Sequence, residues 1–143
     1  MDQPTSSDAA ANVAVVRRFY DEVFNDGREG VIDEIIADDY VDYGHNPPGK
    51  GPQAARDDWK GVKEPFPDAR YEIDDVVAEG DTVAVRWTGT MTHANPFLGV
   101  EPTGKRLTLS GTSFYKVTGG KITETRNVAD VLGLLAQLGI APG

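Results

Sequence analysis

The sequence contains no cysteine, which excludes disulfide bonds, thiolate metal sites and a thiol nucleophile. It also lacks an apolar run near the roughly 18–20 residues that a helix needs to span a bilayer. The opening MDQPTSSDAAAN is acidic and polar, unlike the basic start of a secretory signal. These absences favour a cytoplasmic protein that has no membrane as a partner.

Basic residues are few and scattered along the chain. Lysine and arginine number 14 against 23 aspartates and glutamates, so the formal net charge is −9. Nucleic-acid binding depends largely on Lys and Arg contacts with phosphates, and we therefore expect no nucleic-acid partner. The 143 residues are enough for one domain with a core and too few for two.

Motifs of common cofactor sites are also missing. The chain shows no dinucleotide fingerprint and no G-x-S-x-G elbow, and GHNPPGKGP lacks the spacing of a phosphate-binding loop. Of the two histidines, His45 precedes a Pro-Pro turn and is expected to be exposed. A metal site formed by both histidines and Asp42 would have no known ligand spacing, so no metal is predicted.

Helical periodicity dominates the first half of the chain. Residues 1–7 are predicted to be a disordered tail that ends in a helix cap at Ser6, Ser7 or Asp8. Apolar residues then recur at helical spacing in NVAVVRRFYDEVF, in VIDEII and in QAARDDWKGV. The segment DDYVDYGHNPPGK, between the second and third helices, is read as a short strand and a turn.

The second half of the chain alternates with the period of strands. In DTVAVRWTGTMTH the large apolar residues face one way and the threonines the other. ARYEIDDVVAEGD and KRLTLSGTSFYKV are further strands, and a Gly-Gly turn leads into the last one. Asp130 is expected to cap a closing helix. Residues 8–143 thus form one α+β domain, and a sheet that curls around the helices would enclose an apolar pocket.

Five segments carry a family resemblance, and they are VVRRFYDEVFNDG, ADDYVDYG, AEGDTVAVRWTGTMTH, FLGVEPTGKRLTLSGTSFYKV and GGKITETRNVADVLGLLAQLG. From about Val13 to Gly139 the chain resembles the SnoaL-like polyketide cyclases of the nuclear transport factor 2-like superfamily. PTGKR and LGLLAQLG are the most diagnostic parts. The resemblance implies a cone-shaped α+β fold, in which a curved antiparallel or mixed sheet wraps around N-terminal helices.

The same resemblance implies a chemistry. The family's cyclases close a ring of an aromatic polyketide by cofactor-independent aldol condensation in antibiotic biosynthesis, so the implied ligand is a hydrophobic polycyclic small molecule. No cofactor is expected. A homo-oligomer of two or four chains is expected as well. The fold also hosts isomerases, dehydratases, epoxide hydrolases and non-enzymatic binding proteins. Relatives associated with ring hydroxylation, and ligand binding without turnover, therefore stay open as alternatives.

The catalytic candidates include two departures from the family pattern. Asn127 falls where the resemblance places the acid–base carboxylate, and Ser113 falls where some cyclases have a histidine. An amide is no general base, although it can hold a carbonyl or a developing enolate by hydrogen bonds. Asp42 is the first choice for the base, and His93 is the other candidate because it lies near the expected pocket mouth.

Each of these candidates also has a structural interpretation. Asn127 could bond its own backbone before the turn, Asp42 could be solvated within an acidic run, and His93 could be a hydrogen-bonded core histidine. Glu124 and Arg126 are expected to pair on the outer face of the last strand. The predicted substrate-binding side chains are Phe24, Trp59, Trp87 and Met91. Most of them are expected in the core, and some are expected to line the cavity.

Overall fold

The computed structural model describes residues 5–140 and consists of helices packed against a six-stranded sheet. The helices are α1 (Thr5–Arg18), a π-helical segment (Phe19–Asn25), α2 (Val31–Ile35), α3 (Gly51–Lys63) and α4 (Val131–Gln137). The strands are β1 (Ile36–Asp42), β2 (Gly49–Lys50), β3 (Arg70–Glu79), β4 (Thr82–Thr92), β5 (Arg106–Thr118) and β6 (Lys121–Ala129).

The N-terminal helices fill the inside of the fold. Helix α1 begins at Thr5, within the segment predicted to be a tail, and residues 1–4 of that predicted tail lie outside the described residues. At Phe19 the helix widens to π-helical pitch, which places Phe19, Tyr20 and Val23 against the sheet. Such π-helical turns often occur where a helix contributes side chains to a functional site.

The sheet has the order β2-β1-β6-β5-β4-β3 and is mixed, because β1 and β6 are parallel and every other neighbouring pair is antiparallel. Its register shifts between Ile73 and Asp75 on β3 and between Lys116 and Val117 on β5. Such irregularities increase local twist and bend a sheet. The open, curved sheet around N-terminal helices confirms the predicted α+β cone.

Local sequence signals explain several elements. The predicted inner residues of β4 are buried, from Val83 to Met91 at every second position. Gly119 and Gly120 both have positive φ, 60° and 79°, as a tight hairpin between β5 and β6 requires. Asp130 caps α4 as predicted, with its Oδ1 accepting a hydrogen bond of 2.9 Å from the backbone N–H of Gly133. No helix among residues 5–140 has the length and apolar character needed to cross a membrane.

Candidate functional site

A half-open cavity of about 210 Å³ lies between the helices and the concave face of the sheet. Its walls come from the π-helical segment, from α3 and from every strand except β2. Seven of the seventeen lining residues are aromatic, and these residues are Phe19, Tyr20, Phe24, Tyr40, Tyr71, Trp87 and Tyr115. A lining of this kind suits a flat apolar ligand, because aromatic side chains bury a large area at low conformational cost.

The rings form a connected wall with fixed mutual orientations. Phe24 lies 5.2 Å from Phe19 and 5.4 Å from Tyr71 between ring centroids, both in edge-to-face geometry. Tyr71 in turn lies 5.2 Å from Trp87. These separations are typical of stabilising aromatic pairs. The wall is therefore held in place before any ligand enters.

Of the four buried tyrosines, three have hydroxyls that are hydrogen-bonded within the protein. The hydroxyls of Tyr20 and Tyr115 lie 2.8 Å apart, and Tyr40 donates to Thr125 Oγ1 over 2.8 Å. Burial raises the pKa of Tyr20 to about 12 and raises the pKa values of Tyr40 and Tyr115 as well. These phenols are neutral at physiological pH and serve as donors and acceptors rather than as bases.

A hydrogen-bond chain leads from the cavity wall to Asn127. The indole N–H of Trp87 can only donate, and it donates to Ser113 Oγ over 3.0 Å. Ser113 then donates to Asn127 Oδ1 over 2.6 Å. The amide oxygen of Asn127 is thereby occupied, while its NH₂ group bonds to no acceptor among residues 5–140. Because Asn127 is exposed at the cavity rim, it can present two N–H donors to a ligand oxygen.

Asp42 lies on the same rim at the end of β1. It is 2% exposed, and its Oδ1 accepts a 2.8 Å hydrogen bond from the backbone N–H of Gly44. Gly44 separates Asp42 from Asn127, since a Cβ added there would lie 3.0 Å from Asp42 Oδ1 and 3.7 Å from Asn127 Cβ. The side chains of Asp42 and Asn127 therefore both approach Gly44 within the lining of the cavity.

Two further polar groups stand beside Asp42. His45 Nε2 lies 2.6 Å from Asp58 Oδ1 and 3.6 Å from Asp42 Oδ2, and all three side chains line the cavity. A tetrahedral zinc ion with ligands at 2.0–2.1 Å would hold them about 3.3 Å apart. The 2.6 Å separation is therefore that of a direct hydrogen bond.

The charges in this cluster perturb one another. Burial, followed by the hydrogen bond and charge of Asp42, raises the pKa of Asp58 to about 7, although the hydrogen bond from His45 opposes that rise. The hydrogen bond to Asp58 raises the pKa of His45. A carboxyl group that titrates near neutrality, in a cleft, is suited to proton transfer.

Five of the eight predicted site residues line the cavity, and they are Asn127, Asp42, Ser113, Phe24 and Trp87. Strand parity for Asp42 and Asn127, together with the family resemblance for Ser113, thus pointed to an acid, an amide and a hydroxyl on one surface. It also placed Glu124 and Arg126 on the outer face, where their side chains pair at 3.3 Å as expected.

The structure places His93, Trp59 and Met91 away from the cavity, which corrects the interpretation of these residues as site groups. His93 is fully buried with its ring 6.1 Å from Phe66, and its Nδ1 accepts a 3.2 Å hydrogen bond from the backbone N–H of Thr103. Met91 is a core residue, and Trp59 packs against the core from α3.

Sequence reasoning missed Asp58 and the role of His45. Asp58 shares the cavity-facing side of α3 with buried Ala54 and Ala55 and with Val62 of the cavity lining, at spacings of three and four residues. A carboxylate at that position, within an otherwise apolar face of the helix, could have identified Asp58 from the sequence. The predicted exposure of His45 is correct, since 58% of its side chain is exposed, but its contact with Asp58 depends on tertiary packing.

The cone fold and its aromatic cavity with a polar rim define a protein that can enclose a small molecule. Residues 14–138 match the family model described as SnoaL-like polyketide cyclase. The chain therefore belongs to the SnoaL-like polyketide cyclase family. No curated protein sequence matches the chain.

Solved structures with the same fold include proteins of two described activities. AclR of Streptomyces galilaeus, described as a candidate hydroxylase, is 29% identical with a TM-score of 0.83, over 94% of this chain and 99% of AclR. IdmH of Streptomyces antibioticus, a candidate polyketide cyclase, is 30% identical with a TM-score of 0.79, over 90% and 99% of the two chains. A candidate SnoaL-like cyclase from Jannaschia sp. CCS1 is 26% identical with a TM-score of 0.85, over 99% of both.

Proposed function

We propose that this protein is a cofactor-independent enzyme that closes a ring of a hydrophobic, polycyclic polyketide intermediate by enolate chemistry. The observation that carries the proposal is the pairing of Asp42 and Asn127 across Gly44 at the mouth of an aromatic cavity. Family membership and the candidate cyclases among the similar structures support the same class of reaction.

In this mechanism Asp42 replaces the carboxylate that Asn127 lacks. The Asp42 carboxylate removes a carbon-bound proton next to a substrate carbonyl, and the electron pair moves onto the carbonyl oxygen to form an enolate. The free N–H donors of Asn127 hydrogen bond to that oxygen and stabilise its charge. The enolate carbon then attacks a second carbonyl of the same molecule, a carbon–carbon bond forms, and the new alkoxide takes up one proton.

Ser113 and Trp87 position the amide. Because Trp87 donates to Ser113 and Ser113 donates to Asn127 Oδ1, the chain holds the amide with its NH₂ group free. A donor that is oriented before reaction costs no reorganisation when negative charge develops. His93 has no part in this mechanism, because it is buried outside the cavity.

The similarity to AclR favours a second candidate function, in which the cavity binds a polyketide for ring hydroxylation. The absence of a carboxylate at Asn127 is compatible with that chemistry. Hydroxylation adds an oxygen atom and needs oxygen together with a reductant, whereas cyclisation leaves the mass unchanged or loses one water. Product mass therefore separates the two candidate functions.

The test incubates the purified protein with an anthraquinone-type polyketide ester and follows the products by mass spectrometry. Wild type should give a same-mass or water-loss product without added cofactor, and Asp42→Asn should slow its formation by about 10²–10⁴-fold. Asp39→Asn is the matched control, because Asp39 is an exposed carboxylate on the same strand. It should keep full activity.

Other products would identify the alternatives. A product heavier by one oxygen, formed only with oxygen and a reductant, would support hydroxylation and contradict cyclisation. In a third outcome, wild type binds the ester tightly without forming any product, and Asn127→Asp gains cyclase activity. This result would show that wild type either only binds the ligand or catalyses a different reaction.

A further inference from the structure

Asp58 approaches Asp42 within the lining of the cavity. It lies on α3, whereas Asp42 ends β1. His45 completes the group, and the ligand atoms of the three side chains all lie within 4.8 Å of one another. Asp58 is 35% exposed and Asp42 is buried, so the contact is at the boundary between the cavity and solvent.

We propose that Asp42 and Asp58 hold one proton between them and act as a single acid–base pair, with His45 exchanging that proton with solvent. This inference rests on the proposed cyclisation for its chemical role, and on the geometry of the three side chains for its existence. It adds Asp58 as a catalytic residue, which donates to the substrate, and His45 as a positioning and exchange residue.

Two carboxylates with oxygens within 4.8 Å of each other cannot both be ionised without a large cost. Within the described residues, no lysine or arginine lines the cavity to offset that cost. The other titratable groups that face Asp58 are Tyr40 of β1 and Tyr71 of β3, and both have raised pKa values and are neutral. One proton shared by the two carboxyl groups, with His45 beside them, removes this repulsion.

The two carboxyl groups take different roles in the proposed pair. Asp42 Oδ1 accepts the backbone N–H of Gly44, and Asp42 Oδ2 faces His45 Nε2 at 3.6 Å. Asp42 is the base of the pair, and Asp58 carries the proton as the acid. The raised pKa of Asp58, about 7, agrees with this assignment.

The proton count of the pair matches the proposed reaction. Asp42 takes the proton from carbon, and Asp58 gives its own proton to the new alkoxide as the carbon–carbon bond forms. The pair then still holds one proton, now on Asp42, and transfer across the Asp42–Asp58 hydrogen bond restores the starting state. No oxidant, reductant or net proton uptake is required.

His45 connects the pair to water. Its ring is 58% exposed, while Nε2 reaches Asp58 Oδ1 at 2.6 Å. The imidazole can therefore accept a proton from solvent on one side and exchange it with the carboxyl pair on the other. If a turnover leaves the carboxyl pair with two protons or with none, this contact lets His45 restore the single proton.

The first test measures the titration of the carboxyl groups by ¹³C NMR between pH 4 and 9, without any substrate. Wild type should show an Asp58 midpoint near 7, and Asp42→Asn should lower that midpoint by at least about one unit because the partner charge is lost. Asp57→Asn is the matched control, since Asp57 directly precedes Asp58 on α3 and is exposed. An Asp58 midpoint below 5 in wild type, or one unmoved by Asp42→Asn, would overturn the proposal.

The pH dependence of stability gives a second, independent measurement. The pKa of Asp58 in the folded state is about 7, above the value of 3.8 for an unperturbed group, so the folded state binds the proton more tightly. The contribution of Asp58 to the free energy of unfolding must therefore fall as pH rises from about 4 to 7. Asp58→Asn removes this penalty, so its Tm relative to wild type should increase from pH 5 to pH 8. Asp57→Asn should show no such increase, and an equal difference at both pH values for Asp58→Asn would contradict the proposal.

Activity and metal titration complete the test. Asp58→Asn should lower kcat for the polyketide ester by about 10²–10⁴-fold and remove the limb of the pH profile near 7. If no variant and no wild type turns over the ester, the proposed function fails while the NMR result still decides the shared proton. Stoichiometric binding of Zn²⁺ or Mn²⁺ by wild type, lost in Asp58→Asn, would overturn the shared proton and make the three side chains a cation site.

Discussion

Gly111 of β5 pairs directly with Trp87 of β4, and we expect Gly111→Ala to disturb both the cavity wall and the rim. A Cβ built at Gly111 would clash with Trp87 Cζ2 and would lie 2.8 Å from Trp87 Cε2 and 2.7 Å from the carbonyl oxygen of Val128. Ordinary contacts between carbon atoms are about 3.5–4.0 Å. The indole ring must therefore move, and the backbone oxygen cannot yield as a flexible side chain would.

The expected destabilisation has two parts. Overpacking a well-packed interior costs about 1–3 kcal/mol. Displacing the indole also weakens its hydrogen bond to Ser113, which contributes about 0.5–1.5 kcal/mol in a typical case. We therefore expect Gly111→Ala to lower the free energy of unfolding by about 1.5–4.5 kcal/mol. Because Ser113 orients Asn127, activity in the proposed reaction should fall as well.

Urea unfolding followed by tryptophan fluorescence measures this change. Gly61→Ala is the matched control, since Gly61 is exposed in α3 with nothing near its Cβ position. That substitution should stabilise the protein by about 0.5–1 kcal/mol, as alanine does in a helix. If the free energy of unfolding of Gly111→Ala is within 0.5 kcal/mol of the wild-type value and the fluorescence spectrum is unchanged, position 111 does not require glycine beside the indole ring.

Two further substitutions test contacts that hold the cavity wall. Tyr20→Phe removes the buried hydroxyl that lies 2.8 Å from the Tyr115 hydroxyl, which then loses this partner. The free energy of unfolding in urea should fall by about 1–3 kcal/mol, and a loss below 0.5 kcal/mol would contradict this. Asn25→Ala removes two hydrogen bonds, of 2.9 and 2.7 Å, to the backbone of Tyr71 on the edge strand β3. It should cost about 1–3 kcal/mol and speed hydrogen exchange of the Tyr71 amide, whereas unchanged protection would refute it.

Local rules of chain geometry were enough for much of the fold. Alternation in β4 predicted its inner face because successive strand residues point to opposite sides of a sheet. The same rule put Asp42 on one face with Tyr40 and Asn127 on one face with Thr125. The Gly-Gly turn and the Asp130 cap depend only on residues nearby in sequence. These features need no knowledge of which elements pack together.

The tertiary structure decided which of these groups form a site. The packing of α3 against β1 brings Asp58 to Asp42, sixteen positions apart in sequence, and no local rule specifies that contact. His93 has the correct parity but lies beyond the cavity, because the end of β4 is covered by Phe66 and Thr103. Sequence by itself determined which way each side chain faces on its own element. Only the packing of helix on sheet, set by burial of apolar surface over the whole domain, determined which of them meet.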